Sequence, residues 1–214
     1  MTRPRRLVVV TGTGTEVGKT WVTARLAELL VAAGRSVAVR KPAQSFARGD
    51  RATDADVLAA ATGEAPSTVC PPDRGYEVAM APPMAAAVLG RTPFTIEDLA
   101  AELTWADGTD VGLVEGAGGP RSPLASDGDT VGLAASLAPD LVVLVADAGL
   151  GTINAVRLSV APFADIAPAC VILNRYDPTD DLHVRNGDWL ATHAGLDVVV
   201  DTQSLIARVL GVDA

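Results

Sequence analysis

Histidine and cysteine are scarce in this chain, with two of each in 214 residues, and that scarcity removes several kinds of chemistry. Cys70 and Cys170 are too few for a disulfide framework and form no CxxC pair. Cys170 lies in the apolar stretch ACVILN, which reads as a strand carrying a buried free thiol, so a reducing cytoplasm is the expected location. His183 and His193 are isolated histidines and read as surface residues, so no histidine-built metal site is expected. Positive charge is also in short supply, at 17 Lys and Arg against 26 Asp and Glu, a formal net charge of −9. Phosphate backbones and anionic lipid surfaces select for Lys and Arg. Neither nucleic acid nor membrane is therefore expected as a partner, and any phosphate binding must be local. Long apolar runs are missing too. No stretch reaches the ~18 apolar residues of a membrane span. The run behind the basic start MTRPRR is too short for the core of a signal peptide.

What is present is ample apolar material, 49% of the residues, with 20 Gly and 14 Pro as punctuation. One domain over residues 1–214 is expected, with strands and helices in alternation. A strand over 6–12 runs into a glycine loop. A helix follows from Lys19 to Ala33, closed by Gly34. Ser36–Arg40 reads as a second strand, 43–52 as a polar loop and Asp54 to Gly63 as a helix. Residues 64–83 look irregular, with helical patterns at 84–89 and 95–104. Strands are expected at Asp110–Glu115, 141–147, 169–173 and 197–200, with helices from 152 to about 160 and over 182–194. Several of these strands are apolar throughout, the pattern of a parallel sheet buried on both faces. The βα order predicts a three-layer, doubly wound, mostly parallel α/β sheet. Ligands in such sheets gather at the carboxyl ends of the strands, where Gly12–Thr20, Lys41, Glu115, Asp147 and Asn174 are placed.

The stretch TGTGTEVGKT at 11–20 carries the sharpest signal. It joins an apolar strand to a helix, so its amides, including those of Gly14, Glu16, Val17 and Gly18, would face phosphate at a helix N-terminus. Lys19 would bridge β and γ phosphates and Thr20 would offer its hydroxyl to Mg²⁺. A dinucleotide fingerprint fits less well. Its third glycine would fall at Val17, and Arg40-Lys41 stand where an acidic residue is needed. The common phosphate loop has four residues between its glycines, whereas five separate Gly12 from Gly18.

With that enlarged interval the chain resembles dethiobiotin synthetase, an ATP-dependent ligase family of the phosphate-loop NTPase class. The resemblance runs from Leu7 to about Asn174. Lys41-Pro42 followed by Ala43-Gln44-Ser45, Thr53-Asp54-Ala55, Val114 to Gly119 (VEGAGG) and Leu150 to Asn154 (LGTIN) are similar to further motifs of that family. Each has a plainer reading alone: a strand-end lysine, a helix cap at Asp54, a turn carboxylate at Glu115, a tight turn at Gly116–Gly119, a turn former at Asn174. Their joint order favours the family. The stretch 197–204 (DVVVDTQS) departs from the family pattern, and Arg121 is an unexpected charge, so the nucleotide base and the acceptor stay open.

The resemblance implies ring closure of 7,8-diaminononanoate with CO₂ and ATP, through a carbamate and a carbamic–phosphoric anhydride. It implies catalytic roles for Lys41, Lys19, Thr15 and Ser45, and a Mg²⁺ site of Thr20, Asp54 and Glu115, with Asp147 as a rival for the place of Glu115. It further implies a base contact at Asn174 and substrate contacts at Lys41, Ser45, Glu115, Gly116, Ala117, Gly118 and Gly119. Asn154 would reach the substrate's carboxylate across a homodimer interface. Trp21 reads as a packing residue. The rival function is a partitioning or maturation type of switching ATPase, although the extra lysine such proteins carry near position 13 is missing. A related ligase with another acceptor is a second alternative, and a regulatory domain that only binds nucleotide is a third.

Overall fold

Along Arg6–Gly12 successive side chains point to opposite sides, and both sides are buried. Val8 and Val10 join one core, Leu7 and Val9 the other. A strand of this kind is stable only inside a sheet covered on both faces. The computed structural model, which describes residues 3–211, has that arrangement. Its central sheet holds six strands: β1 (Arg6–Gly12), β2 (Val37–Arg40), β3 (Val111–Glu115), β4 (Leu141–Asp147), β5 (Ala169–Asn174) and β6 (Asp197–Val199). Their spatial order is β6-β5-β4-β1-β3-β2, and every neighbouring pair is parallel. The chain winds outward to β2, returns through β3 and then crosses to the other side of β1. The order reverses beside β1, so the loop after β1 opens at the switch point.

The helices are α1 (Lys19–Ala32), α2 (Asp54–Thr62), α3 (Pro66–Val69), α4 (Pro82–Val88), α5 (Ile96–Glu102), α6 (Thr130–Leu137), α7 (Thr152–Val160), α8 (Asp181–Thr192) and α9 (Thr202–Leu210). Leu26 and Leu30 of α1, Leu58 of α2 and Leu205 and Val209 of α9 cover one face with Val143 and Val145 of β4. On the other face Leu99 of α5 and Leu133 of α6 pack against Val142, while Val156 of α7 and Leu190 of α8 pack against Leu144. The result is the expected three-layer α/β sandwich. No helix among the described residues is long and apolar enough to cross a membrane. Both cysteines are buried and free, and burial pushes each thiol up to about 12.

Several boundaries differ from the sequence reading. Helix α6 was not expected. It is apolar nearly all round and so shows no amphipathic period, and it starts at Asp129, whose side chain accepts the Gly132 N–H. Helix α9 lies where no element was expected; Asp201 caps it through the Ser204 N–H. The segment 64–83 is more ordered than its Pro and Gly content implied. It holds α3 and a two-residue strand, Gly75–Tyr76, paired with Gln44–Ser45.

Candidate active site

The glycine loop is shaped by contacts that only its own residues permit. A Cβ on Gly12 would lie 2.7 Å from Val17 Cγ2 and 2.9 Å from Lys19 Cγ. Gly18 has φ 93, and a Cβ there would lie 2.1 Å from Asn174 Nδ2. Glu16, inside the enlarged interval, takes φ 61, a costly conformation for a residue with a Cβ. The loop is tied to the end of β5 by two side chains. Asn174 Nδ2 donates to the Val17 carbonyl at 2.9 Å and Arg175 donates to the Glu16 carbonyl at 2.8 Å. Lys19 folds back over the loop and donates to the Gly14 carbonyl at 2.6 Å. Burial, reinforced by the nearby Lys41 ammonium, lowers the Lys19 pKa to about 8 against the pull of Glu115 and Asp54.

Three more elements deliver a charged cluster to the same edge. Lys41 follows β2, and its amide donates to the Val69 carbonyl at 2.7 Å. Its ammonium contacts Glu115 at 2.7 Å, Asp54 at 2.8 Å and the Gly116 carbonyl at 3.0 Å. An ammonium has three protons, so all are engaged, and any anionic ligand must displace one acceptor. Burial pulls the Lys41 pKa down, but the carboxylates of Glu115 and Asp54 outweigh it and hold the group above the ordinary lysine value. Burial likewise opposes ionisation of Asp54, yet Lys41 and the Thr20 hydroxyl keep its carboxyl below the ordinary range. Asp54 does not cap its helix. Thr53 does, in a reciprocal pair with Asp56, which leaves the Asp54 side chain to the site. Gln44 Oε1 accepts the Ala55 N–H at 2.9 Å and fixes the start of α2.

The Thr20 hydroxyl stands 2.9 Å from Asp54 Oδ1 and 2.8 Å from Glu115 Oε1. One hydroxyl proton serves only one of these carboxylates at a time. Glu115 is fully buried and its Oε2 has no hydrogen-bond partner, a costly state for a carboxylate oxygen. Among the described residues no group of three or more His, Cys, Asp or Glu could hold a metal. Thr20, Asp54 and Glu115 form a smaller, all-oxygen set. It suits a hard cation such as Mg²⁺, which takes few protein ligands and keeps positions for water and phosphate.

Two cavities open on this edge. The larger, about 780 Å³, is lined by Thr15, Lys19, Thr20, Lys41, Ser45, Asp54, Ala117 and Gly118 among others. The smaller, about 550 Å³, lies between the ends of β5 and β6 and is lined by Asn174, Tyr176, Val200 and Thr202 among others.

Residues 6–208 match a family described as an AAA domain. An ATP-dependent dethiobiotin synthetase BioD of Streptomyces coelicolor is 44% identical over 72% of this chain and 63% of its own length. The enzyme of that name from Streptomyces avermitilis is 40% identical over 84% of this chain and 75% of its own. The one from Rhodococcus erythropolis is 36% identical over 90% and 86%. The chain belongs to the dethiobiotin synthetase family. Its fold is shared more widely. The signal recognition particle receptor FtsY of Elizabethkingia anophelis superposes with a TM-score of 0.55 at 15% identity, covering 95% of this chain and 62% of that one. Chloroplast FtsY of Physcomitrella patens gives 0.56 at 20% identity, covering 98% and 66%. At such identities only the α/β phosphate-loop fold is held in common.

In this member of the dethiobiotin synthetase family the VEGAGG turn is divided in its contacts. Ala117 and Gly118 line the larger cavity. The Gly116 carbonyl holds Lys41, and the Gly119 N–H is taken by the Ser122 hydroxyl at 2.9 Å, so Gly119 offers no free amide to a substrate. Ser45 donates to the Met80 carbonyl at the cavity wall. Asp147 is not part of the Thr20 cluster. Its carboxylate accepts the Gly149 N–H at 2.9 Å and Arg175 at 3.0 Å, which hold its pKa below the ordinary range. Asn154 is exposed on α7 and lines neither cavity of its own chain. Trp21 is not a packing residue. It is 59% exposed and faces both cavities. The sequence reading also passed over Arg175, Gln44 and Ser122. Gln44 stood inside the Lys41 motif and bonds forward to the start of α2, whereas Arg175, beside Asn174, bonds across the fold to the Glu16 carbonyl and has no local signature. Arg121, the unexpected charge, pairs with Asp129 at 3.1 Å.

Proposed function

We propose that this chain is an ATP- and Mg²⁺-dependent ligase that closes the ureido ring of dethiobiotin from 7,8-diaminononanoate and CO₂. Family membership supports the reaction. The observation that carries it is the buried ammonium of Lys41, gripped by Glu115, Asp54 and the Gly116 carbonyl beside Lys19 and Thr20.

One amine of the substrate adds to CO₂ and releases a proton, giving a carbamate. A carbamate oxygen attacks the γ-phosphorus, the bond to the bridging oxygen breaks, and ADP leaves. The second amine then attacks the carbamic–phosphoric anhydride at its carbonyl carbon, expels phosphate and loses a proton. A carbamate and a triphosphate repel each other, so the protein must neutralise charge at their meeting point. The amides of Gly14, Glu16, Val17 and Gly18 and the Lys19 ammonium hold the phosphates. Lys41 exchanges its contact with Asp54, the more exposed of its two carboxylate partners, for the γ-phosphate and carbamate. Thr15 and Ser45 supply hydroxyl contacts, and Ala117 and Gly118 seat the reacting end of the diamine. Asn174 contacts the base. Mg²⁺ held by Thr20, Asp54 and Glu115 would draw charge from the phosphate oxygens. The active unit in this reading is a cytoplasmic homodimer. Asn154 of a second copy meets the distal carboxylate, and the exposed apolar residues Leu150 and Leu158 flanking Asn154 support such an interface.

Mass spectrometry of a mixture of diamine, bicarbonate, Mg²⁺ and ATP tests the reaction. Dethiobiotin is expected from the native protein and is lost in Lys41→Ala. ADP release that proceeds unchanged without diamine, with no product, would replace the ligase by a switching ATPase.

A further inference from the structure

The chain has three tryptophans, and two of them are accounted for by packing. Arg40 lies 5.1 Å over the ring of Trp105, and Trp189 carries Arg157 at 5.6 Å and stacks on His193. Trp21 is different. It is 59% exposed, and among the described residues its ring has no aromatic or cationic partner. An indole left in water without a partner forgoes a large burial contribution, and such side chains concentrate where a ligand covers them.

Its position says which ligand. Among the described residues only Gly18, Trp21 and Arg175 line both cavities. A ligand whose phosphates sit between Lys19 and Lys41 and whose other end lies under Asn174 must cross Gly18 between these two side chains. The place of a Cβ on Gly18 is taken by the Asn174 amide, which would stand 2.1 Å from it, so the ligand passes beside that amide. Arg175 is anchored to the Glu16 carbonyl and Asp147 and forms the fixed wall. Trp21, in the first turn of α1, is the free wall.

We propose that Trp21 is a nucleoside-stacking residue: its indole covers the base or ribose as the nucleotide passes from the phosphate cavity to the Asn174 cavity. This rests on the reading of the site as an ATP site and adds the element that recognises the nucleoside. Stacking uses the π-face that every base has, so it confers affinity with little choice among bases. Trp21 therefore supplies nucleoside affinity while leaving base selection to the polar groups around Asn174.

Calorimetry and tryptophan fluorescence with ADP and with inorganic tripolyphosphate, both with Mg²⁺, test this. ADP is expected to change the emission of the native protein, while tripolyphosphate binds without that change. Trp21→Phe keeps ADP affinity within about threefold but loses the emission change. Trp21→Ala binds ADP about ten- to a hundredfold more weakly, the size of one base–aromatic stack, with similar losses for CDP and GDP. Its tripolyphosphate affinity is unchanged, which excludes misfolding as the cause. ADP affinity unaltered in Trp21→Ala would overturn the proposal and leave the ATP reading standing. So would a changed oligomeric mass with nucleotide affinity intact. Tripolyphosphate binding without any ADP binding to the native protein would remove the proposal and the ATP reading together.

Discussion

The two cavities at the carboxyl edge of the sheet share Gly18, Trp21 and Arg175 but are built differently. Around Lys41 the side chains are charged and locked on one another: Lys41 is 2% exposed and Glu115 0%, with the more exposed Asp54 at the rim. Around Asn174 the walls are a mixture of Tyr176, Val200 and Trp21, and Trp21 is more than half exposed. The first arrangement costs desolvation of several charges and is stable only because each charge has its partner at hydrogen-bond distance. It suits a task in which charge must be met at one fixed place. The second needs little pre-arrangement, because apolar and stacking contacts tolerate variation in the ligand. If the proposed function holds, with phosphates in the first cavity and the base in the second, changes at the phosphate end should abolish chemistry and changes at the base end should mainly weaken binding.

The largest break should come from Lys41→Ala. It leaves Glu115 buried without its cation, so stability should fall by about 3–5 kcal/mol, read by chemical denaturation. Ligase turnover should fall by at least about 10²-fold, the scale of losing one electrostatic contact to developing charge. Adding Glu115→Gln should recover much of the stability and none of the turnover. Recovery of turnover would mean that Lys41 serves only to neutralise Glu115.

A smaller effect should appear with pH at Lys19. Its pKa is lowered to about 8 in the folded protein, against an ordinary value near 10.4. Below about pH 8 the group is charged in both folded and unfolded chains, and its burial opposes folding. Between about 8 and 10.4 the folded protein has released the proton while the unfolded chain retains it, so this group's contribution to stability rises with pH. Nucleotide binding runs the other way, because phosphate needs the cation. The affinity of the free enzyme for ADP should decline as pH rises above about 8, and Lys19→Arg should flatten that limb. A decline that persists in Lys19→Arg would assign it to another group.

The smallest effect should be at the base end. Asn174→Ala removes the bond to the Val17 carbonyl and, in the proposed function, a polar contact to the base. A cost of about 1 kcal/mol in stability and a rise of about tenfold in the KM for ATP are expected, with kcat within about threefold. A collapse of kcat instead would show that the bond from Asn174 to the loop governs the phosphate end as well, and the contrast between the cavities would fail.

The sequence by itself determined what depends on near neighbours. Apolar runs such as LVVLVAD could only be strands buried on both faces. The loop at 11–20 declared itself because its residues stand together in sequence between a strand and a helix, and Gly12 must clear Val17 and Lys19 within the same turn. Helices α6 and α9 escaped notice because one has no amphipathic period and the other begins inside an off-pattern segment. Only the tertiary structure decided which side chains meet. Lys41, Asp54 and Glu115 lie on three separate elements, and the parallel pairing of β3 with β1 and β2 is what brings Glu115 beside Lys41 and Thr20. The same holds for Asp147, drawn to Arg175 instead of the Thr20 cluster, and for Trp21. An aromatic residue after a phosphate loop can pack or stay exposed. The choice is made by whether distant chain covers it, and here the nearest distant segments, around Tyr176 and Val200, stand back to leave a cavity.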